Sequence, residues 1–318
     1  MRIGGSNRRS LRGLLEEERL LVAPGAHNGL SARLIAEAGF PLVYMSGSGV
    51  ANTLTGRADV GLLTMSEMVS MARHVTEACG VPVVSDADTG YGNAINVMRT
   101  VREFESAGVS AIHIEDQVSP KRCGSLAGKE VIPAEEMVGK IRAALDARSS
   151  PEFLIIARTD ARGAVSFDEA VRRGRLYREA GADLVFPDAL LSEHEYASFA
   201  RSVPGPKVFN MGGYGKRQTT PKLPLVSVEE MGYSIVIFPL AALRAGVKAY
   251  RDFLQGLRQS GVSYEVEYIR DVLASDPVHN WYEFTGAGEI RQLEERYMDR
   301  DLLARKYADT AGHVPGDR

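Results

Sequence analysis

Apolar residues along the chain fall into two alternating kinds of segment. Short continuous runs occur at Leu20–Ala23, Leu42–Ser46, Val81–Ser85, Ala111–Glu115, Phe153–Arg158, Leu184–Pro187, Lys207–Asn210 and Ile235–Pro239. Between most of them apolar residues return at three- and four-residue spacing, as in Ser66–Ala78, Asn96–Ala107, Ala134–Ala147 and Phe167–Ala180. The runs read as strands buried on both faces, and the spaced segments as amphipathic helices. A weak internal repeat joins the two kinds. AEAGFPLVYMS, TEACGVPVVSD, ESAGVSAIHIED and REAGADLVFPD each pass from a helix end, through a small-residue or Ala-Gly stop, into an apolar run. Eight such units predict an α/β fold, a (β/α)8 TIM-type barrel. A doubly wound open sheet is the alternative, but it seldom holds eight such units without a Gly-rich nucleotide turn.

A helix over Ala241–Gln259 follows the eighth run, giving an expected barrel domain of residues 1–259 and an extension of residues 260–318. The extension shows helical periodicity in Gly288–Ala308 and an aromatic cluster at Trp281, Tyr282 and Phe284. It is too short to build a good core alone. It is expected to pack on the barrel or on a neighbouring subunit.

Composition narrows the class. A chain of 318 residues is near the upper size for one core. A net charge of −3 and the lack of any basic run give no sign of a nucleic-acid partner. Two cysteines, Cys79 and Cys123, argue for a reducing compartment without a disulfide framework. No long apolar stretch follows the first arginines and none is long enough to span a bilayer, so a cytoplasmic location without membrane contact is expected.

In a (β/α)8 barrel the active site lies at the C-terminal ends of the strands. Those positions carry Ser46-Gly47-Ser48-Gly49, Asp86 and Asp88, Glu115 and Asp116, Arg158 and Asp160, Asp188, Asn210 and Arg244. Alternation puts Asp86 with Asp88 on one face, and His113 with Glu115. Three carboxylates meeting there repel unless a cation sits between them, and oxygen ligands suit Mg²⁺ or Mn²⁺. The plainer reading, that the acids cap the following helices, is weakened by a second acid cluster in the adjacent unit. The loop Ser119–Ser125 brings Lys121, Arg122 and Cys123 together, a basic setting expected to lower the thiol's pKa. Arg158 reads equally as a substrate clamp or as an internal partner of Asp160 or Glu115. Arg244 reads equally as a surface residue.

VSDADTGYGN, IHIEDQ, PKRCG, IIARTDA and FPLAALRA together resemble the isocitrate lyase/phosphoenolpyruvate mutase superfamily, most of all its methylisocitrate lyase and dimethylmalate lyase branch. The likeness runs over nearly the whole chain. It implies a (β/α)8 barrel whose eighth helix is swapped between paired subunits, usually in homotetramers built as dimers of dimers. It implies that Asp86, Asp88 and Glu115 hold Mg²⁺ directly or through water, with Asp59 of GRADVGL in support. Catalytic residues would be Cys123, the acid on a gating loop, with Tyr44 and Arg158. Ser46, Gly47, Ser48, His113, Gly124, Asp188, Asn210 and Arg244 would face the substrate. The implied reaction cleaves a carbon–carbon bond in a 2-hydroxy di- or tricarboxylic acid, releasing an α-keto acid and a carboxylate. Tyr44 or a metal-linked water would take the hydroxyl proton, a choice the sequence leaves open.

Three positions depart from that branch. Ser125 stands where the lyases carry histidine after the cysteine, Gly213 replaces a glutamate after the seventh strand, and Asp188 replaces a longer glutamate. Phosphonomutase chemistry of the carboxyphosphonoenolpyruvate type therefore remains an alternative, with Gly212–Arg217 as a phosphoryl cradle. Oxaloacetate hydrolysis or decarboxylation, or a non-catalytic barrel that binds a keto acid, are the others.

Overall fold

Each of the eight apolar runs becomes a parallel strand in the computed structural model, which describes residues 9–213, 220–308 and 311–315. The strands are β1 (Leu21–Ala26), β2 (Val43–Met45), β3 (Val83–Asp86), β4 (Ala111–Glu115), β5 (Leu154–Thr159), β6 (Leu184–Pro187), β7 (Val208–Asn210) and β8 (Ile235–Phe238). They lie in the order β6-β5-β4-β3-β2-β1-β8-β7. A parallel bridge between Val185 and Lys207 joins the two ends of that order, and the sheet all but closes into the expected barrel. The helices are α1 (Leu11–Glu17), α2 (Gly29–Glu37), α3 (Gly47–Thr55), α4 (Met65–Cys79), α5 (Ala94–Ser106), α6 (Ala134–Ala147), α7 (Ala161–Ala164), α8 (Phe167–Glu179), α9 (Glu193–Ser202), α10 (Leu225–Glu230) and α11 (Ala241–Ser260).

Local chemistry moves several boundaries. β1 runs on through Pro24-Gly25, past Ala23 where the apolar run ends. A β-carbon at Gly25 would lie 2.0 Å from the Pro239 carbonyl oxygen, so only glycine lets β1 and β8 approach there. α4 starts at Met65 because Thr64 and Glu67 form a reciprocal capping box, and it stops at the left-handed Gly80.

Strand parity divides the core. Leu21, Ala23, Leu42, Tyr44, Val84, Ala111, Leu154, Ile156, Leu184, Phe186, Val208, Ile235 and Ile237 pack into one cluster that fills the barrel. The alternate residues, among them Val43, Val83, Ile112, Ile155, Val185, Phe209 and Val236, join the helices in a second cluster. Leu11 and Leu14 of α1 belong to the inner cluster, and Arg12 donates to the Pro151 carbonyl (2.6 Å) and to Asp183 (3.1 Å) in the loops that enter β5 and β6. Thus α1 plugs the N-terminal mouth, leaving the C-terminal mouth for chemistry.

The chain divides into two compact units, one ending at Ala245 and the other starting at Gly246, within α11. The second unit continues α11 and adds α12 (Val262–Tyr268), a π-helical turn (Ile269–Leu273), a 3₁₀ turn (Pro277–His279), α13 (Trp281–Phe284), α14 (Ala287–Tyr297) and α15 (Arg300–Tyr307). The helix expected over Gly288–Ala308 is two helices, because Asp299 caps a new start by accepting from Asp301 and Leu302 N–H. Phe253 packs edge-on against Tyr268 at 4.9 Å, and Gly256 makes room for the Tyr264 ring. Among the described residues of this unit only Leu303 is buried, so it has no core of its own. No described helix is long and apolar enough to cross a membrane.

Leu14 is 2% exposed. Replacing it with alanine is expected to cost about 3 kcal/mol of barrel stability, within the usual span for a buried leucine, measured by urea denaturation. A cost below about 1 kcal/mol would show that α1 does not plug the barrel.

Candidate active site

The parity that fills the barrel also delivers the polar residues at its C-terminal end. Tyr44, Asp86, His113, Glu115, Arg158 and Asn210 continue the inward rows, with Ser46, Asp160 and Asp188 just beyond the strand ends. Register does the rest, since Asp86 is level with His113 and Glu115 with Arg158. Tyr44 Oη and His113 Nε2 share a hydrogen bond of 2.9 Å, and the same nitrogen lies 3.7 Å from Asp86 Oδ1. Burial lowers the imidazole to about 4, so the ring is neutral. Burial, and then Asp86, hold the Tyr44 phenol well above its ordinary value. Arg158 is a buried hub. Its Nε and Nη2 donate to Asp160 (2.9 and 3.1 Å), Nη2 also to Asp188 (2.7 Å), and Nη1 is 3.1 Å from Glu115 Oε2. Asn210 Nδ2 donates to Asp188 Oδ1 at 2.9 Å. The internal-partner reading of Arg158 therefore holds for both Asp160 and Glu115, and the side chain also lines the cavity.

Asp86 and Asp88 are not helix caps, because Asn93 caps α5. Asp88 adopts a left-handed backbone (φ 46°) and its N–H donates to Asp86 Oδ1 at 3.0 Å. The acids gather around a cation, but that cation is Lys121. Its ammonium lies 2.7 Å from Asp59 Oδ2 and 2.8 Å from Asp88 Oδ1. As they stand, no three His, Cys, Asp or Glu side chains among the described residues are grouped to hold an ion. Negative charge is nevertheless in surplus. Burial, with Asp86 and Asp59 nearby, raises Asp88 to about 6, and burial holds Glu115 well above the carboxylate range. Both Glu115 oxygens are buried without a hydrogen bond of good geometry. Burial also opposes the charge of Asp86, yet Lys121, Arg158 and the Asp88 N–H keep it below the ordinary range. Buried hard-oxygen donors, two of them on Glu115 without a well-formed hydrogen bond, and only Lys121 and Arg158 beside them among the described cations, fit a hard divalent cation.

The loop that carries Cys123 is seated over this cluster. Cys123 N–H donates to the Asp59 carbonyl at 3.0 Å, and Gln117 clamps Arg122 through its N–H (2.9 Å) and carbonyl (2.8 Å). The expected lowering of the thiol's pKa is not found. Burial raises it, and the Ser125 N–H and Lys121 offset only part of that, the lysine being committed to Asp59 and Asp88. The thiol is thus held in its acid form. Beneath it is a cavity of about 60 Å³.

Of the residues singled out in sequence, Tyr44, Ser46, Ser48, Asp59, Asp86, Cys123, Gly124, Arg158, Asp188 and Asn210 line this cavity, together with Ser125 and Gly213. Asp88, His113 and Glu115 stand behind that wall, tied to it through Lys121, Tyr44 and Arg158. Gly47 backs Asp86, since a β-carbon there would meet Asp86 Oδ2 at 2.4 Å. Arg244 is exposed on the first turn of α11, beside Lys222 rather than in the wall. Asp116 points outward, accepting from Tyr177 (2.7 Å) and Arg173 (3.0 Å). Within the suggested phosphoryl cradle, residues 214–217 lie outside the described residues. Lys121 as counter-ion and Lys129 were missed. A lysine on a loop carries no sequence signal of its partner.

A model of the family described as phosphoenolpyruvate phosphomutase matches residues 11–258. The chain is 45% identical over 287 residues to 2,3-dimethylmalate lyase of Eubacterium barkeri, covering 90% of this chain and 96% of that one. It is 47% identical over 256 residues to 2-methylisocitrate lyase of Aeropyrum pernix, covering 80% and 81%. Among solved structures, a phosphonopyruvate hydrolase complex with oxalate and Mg²⁺ superposes with a TM-score of 0.79 at 34% identity, covering 90% of this chain and 97% of that one.

Gly124 is where the loop touches the site most closely. A β-carbon there would lie 1.6 Å from Asp188 Oδ2 and 2.7 Å from Arg158 Nη2. Gly124→Ala is therefore expected to unseat the loop and speed alkylation of Cys123 in the folded protein at least tenfold, equivalent to about 1.4 kcal/mol of lost closure. An unchanged rate would show that the loop does not close on these two residues.

Proposed function

Because the chain belongs to the phosphoenolpyruvate phosphomutase family, within the superfamily that includes the isocitrate lyases, we propose that it is a Mg²⁺-dependent carbon–carbon lyase. Its substrate class is a 2-hydroxy di- or tricarboxylic acid of the alkylmalate or methylisocitrate type. The observation that carries this reading is the convergence on one small cavity of a protonated thiol, a buried arginine and an acid cluster short of positive charge.

A divalent ion held by Asp86, Asp88 and Glu115, with Asp59 in support, would supply Lewis acidity for the developing negative charge on the substrate's oxygen. The chain's own residues do the rest. Arg158 reads a substrate carboxylate while Asp160 and Asp188 fix its plane, with Asn210 beside them. Tyr44 Oη takes the hydroxyl proton as it passes its own to Nε2 of the neutral His113, 2.9 Å away. The carbon–carbon bond breaks, its electron pair remains on the carbon next to the departing carboxylate, and Cys123 Sγ protonates that carbon. With Ser125 in place of an imidazole, its backbone N–H and the charge of Lys121 steady the resulting thiolate. Both cysteines are free thiols, which suits the cytoplasm.

The test supplies 2,3-dimethylmalate, 2-methylisocitrate and oxaloacetate to the purified protein and follows release of keto acid. Turnover is expected on one of the first two, abolished by chelator and restored by Mg²⁺. Cys123→Ser should lose about 10²–10⁴ in rate, the span of one acid–base group, while keeping Mg²⁺ affinity. Wild-type turnover in Cys123→Ser, or products of oxaloacetate hydrolysis alone, would overturn the lyase reading.

We also propose a homo-oligomer built as a dimer of dimers, with α11 exchanged between paired subunits. Val247, Tyr250 and Leu254 form an apolar stripe on α11 at helical spacing, and all are exposed, as are Trp281 and Tyr282. Sedimentation is expected to show a tetramer, with Leu254→Glu shifting it to smaller species. A monomer at micromolar concentration would refute the assembly.

A further inference from the structure

Lys129 follows the Cys123 loop in sequence, and its buried ammonium makes two bonds that the proposed chemistry does not use. Nζ donates to the Gly124 carbonyl at 2.5 Å and lies 3.0 Å from Asp160 Oδ1. Asp160 is the carboxylate that grips Arg158 at two nitrogens. The fold makes space for this side chain, because a β-carbon at Gly163 would come within 3.1 Å of Lys129 Cε and 3.2 Å of Nζ. Burying an ammonium is costly unless it is paired and hydrogen-bonded. Lys129 shares the pairing of Asp160 with Arg158, which also faces Asp188 and Glu115, but charge balance does not require the bond of Lys129 to the Gly124 carbonyl. What Lys129 adds is a strong charge-assisted bond to the loop, one residue beyond the thiol.

We propose that Lys129 is a positioning residue, a latch that holds the Cys123 loop seated and ties it through Asp160 to the arginine that faces the substrate. The latch deepens the reading of Cys123 as the proton donor and rests on it for its catalytic meaning. Lifting the loop breaks the Lys129–Gly124 bond, and the ammonium keeps Asp160 as its partner. Reseating is favoured only where Asp160 is in place, which is also the condition for Arg158 to present its plane. Proton delivery and carboxylate binding are thereby aligned by one side chain that touches neither substrate nor reacting atoms.

The experiment uses the full-length enzyme and measures alkylation of native thiols by iodoacetamide. Cys79 is buried, so the rate reads Cys123. Lys129→Met should speed alkylation about tenfold or more, as a loss of roughly one strong hydrogen bond implies. It should lower kcat by about 10², the scale of a small misplacement of a reacting group, with KM changed less than about threefold and Mg²⁺ binding by calorimetry unchanged. Lys129→Arg should restore most of the protection. Gly163→Ala, which crowds Lys129 and removes no charge, should raise alkylation in the same direction and stands in if Lys129→Met does not fold. A folded Lys129→Met or Gly163→Ala protein with wild-type alkylation, even at a lower melting temperature, would make Lys129 a mere counter-ion and end the proposal. If alkylation rises but no keto acid is released by the wild type, the latch stands and the lyase reading fails alone.

Discussion

Charge buried at the mouth of an apolar barrel is the constraint to which the rest of this structure answers. Asp59, Asp86, Asp88, Glu115, Asp160 and Asp188 are all buried, and Lys121, Lys129 and Arg158 are the cations that face them. Isolated charges at that depth would destabilise the fold, so each cation is shared. Arg158 serves three carboxylates, and Lys121 two. The compensation is uneven. Asp160, opposed by burial but held between Arg158 and Lys129, stays ionised far below the ordinary range, whereas Glu115 and Asp88 are pushed toward their neutral forms. The half of the site around Asp160 is thus self-sufficient, while the half around Glu115 calls for a further cation.

That division gives the two halves different roles. The Arg158–Asp160–Asp188 group is tied together by its own ion pairs, as the proposed reading of a substrate carboxylate requires. The Asp86–Asp88–Glu115 group is adjustable, with a lysine where a divalent ion would supply more charge. The Cys123 loop bridges both halves, since Lys121 lies on one side of the thiol and Gly124, packed on Asp188 and Arg158, on the other. Desolvation under this seated loop keeps the thiol protonated, and under the proposed lyase chemistry the same loop would exclude water from the carbanion. The same desolvation explains why a Lys-Arg-Cys sequence does not make a thiolate here.

Much of the barrel was legible in the chain because strand burial writes itself as apolar runs, and the eight runs and their order needed no tertiary information. Inward parity could also be followed from Tyr44, Asp86, His113, Glu115 and Arg158 by counting in twos. Where sequence misled, long-range geometry had overridden a local signal. The first apolar run ends at Ala23, whereas β1 continues through Pro24-Gly25 with β8 alongside, and Gly288–Ala308 reads as one helix until Asp299 caps a second start.

By itself the sequence determined the fold class, the end of the barrel that carries chemistry and the residue types gathered there, because period-two alternation and strand order depend only on the local chain. Only the tertiary structure decided which charges pair. Lys121 with Asp88, Lys129 with Asp160 and Arg158 with Asp188 join residues from different loops and strands, and the partner each takes depends on desolvation and on distances of about 3 Å that no spacing along the chain encodes.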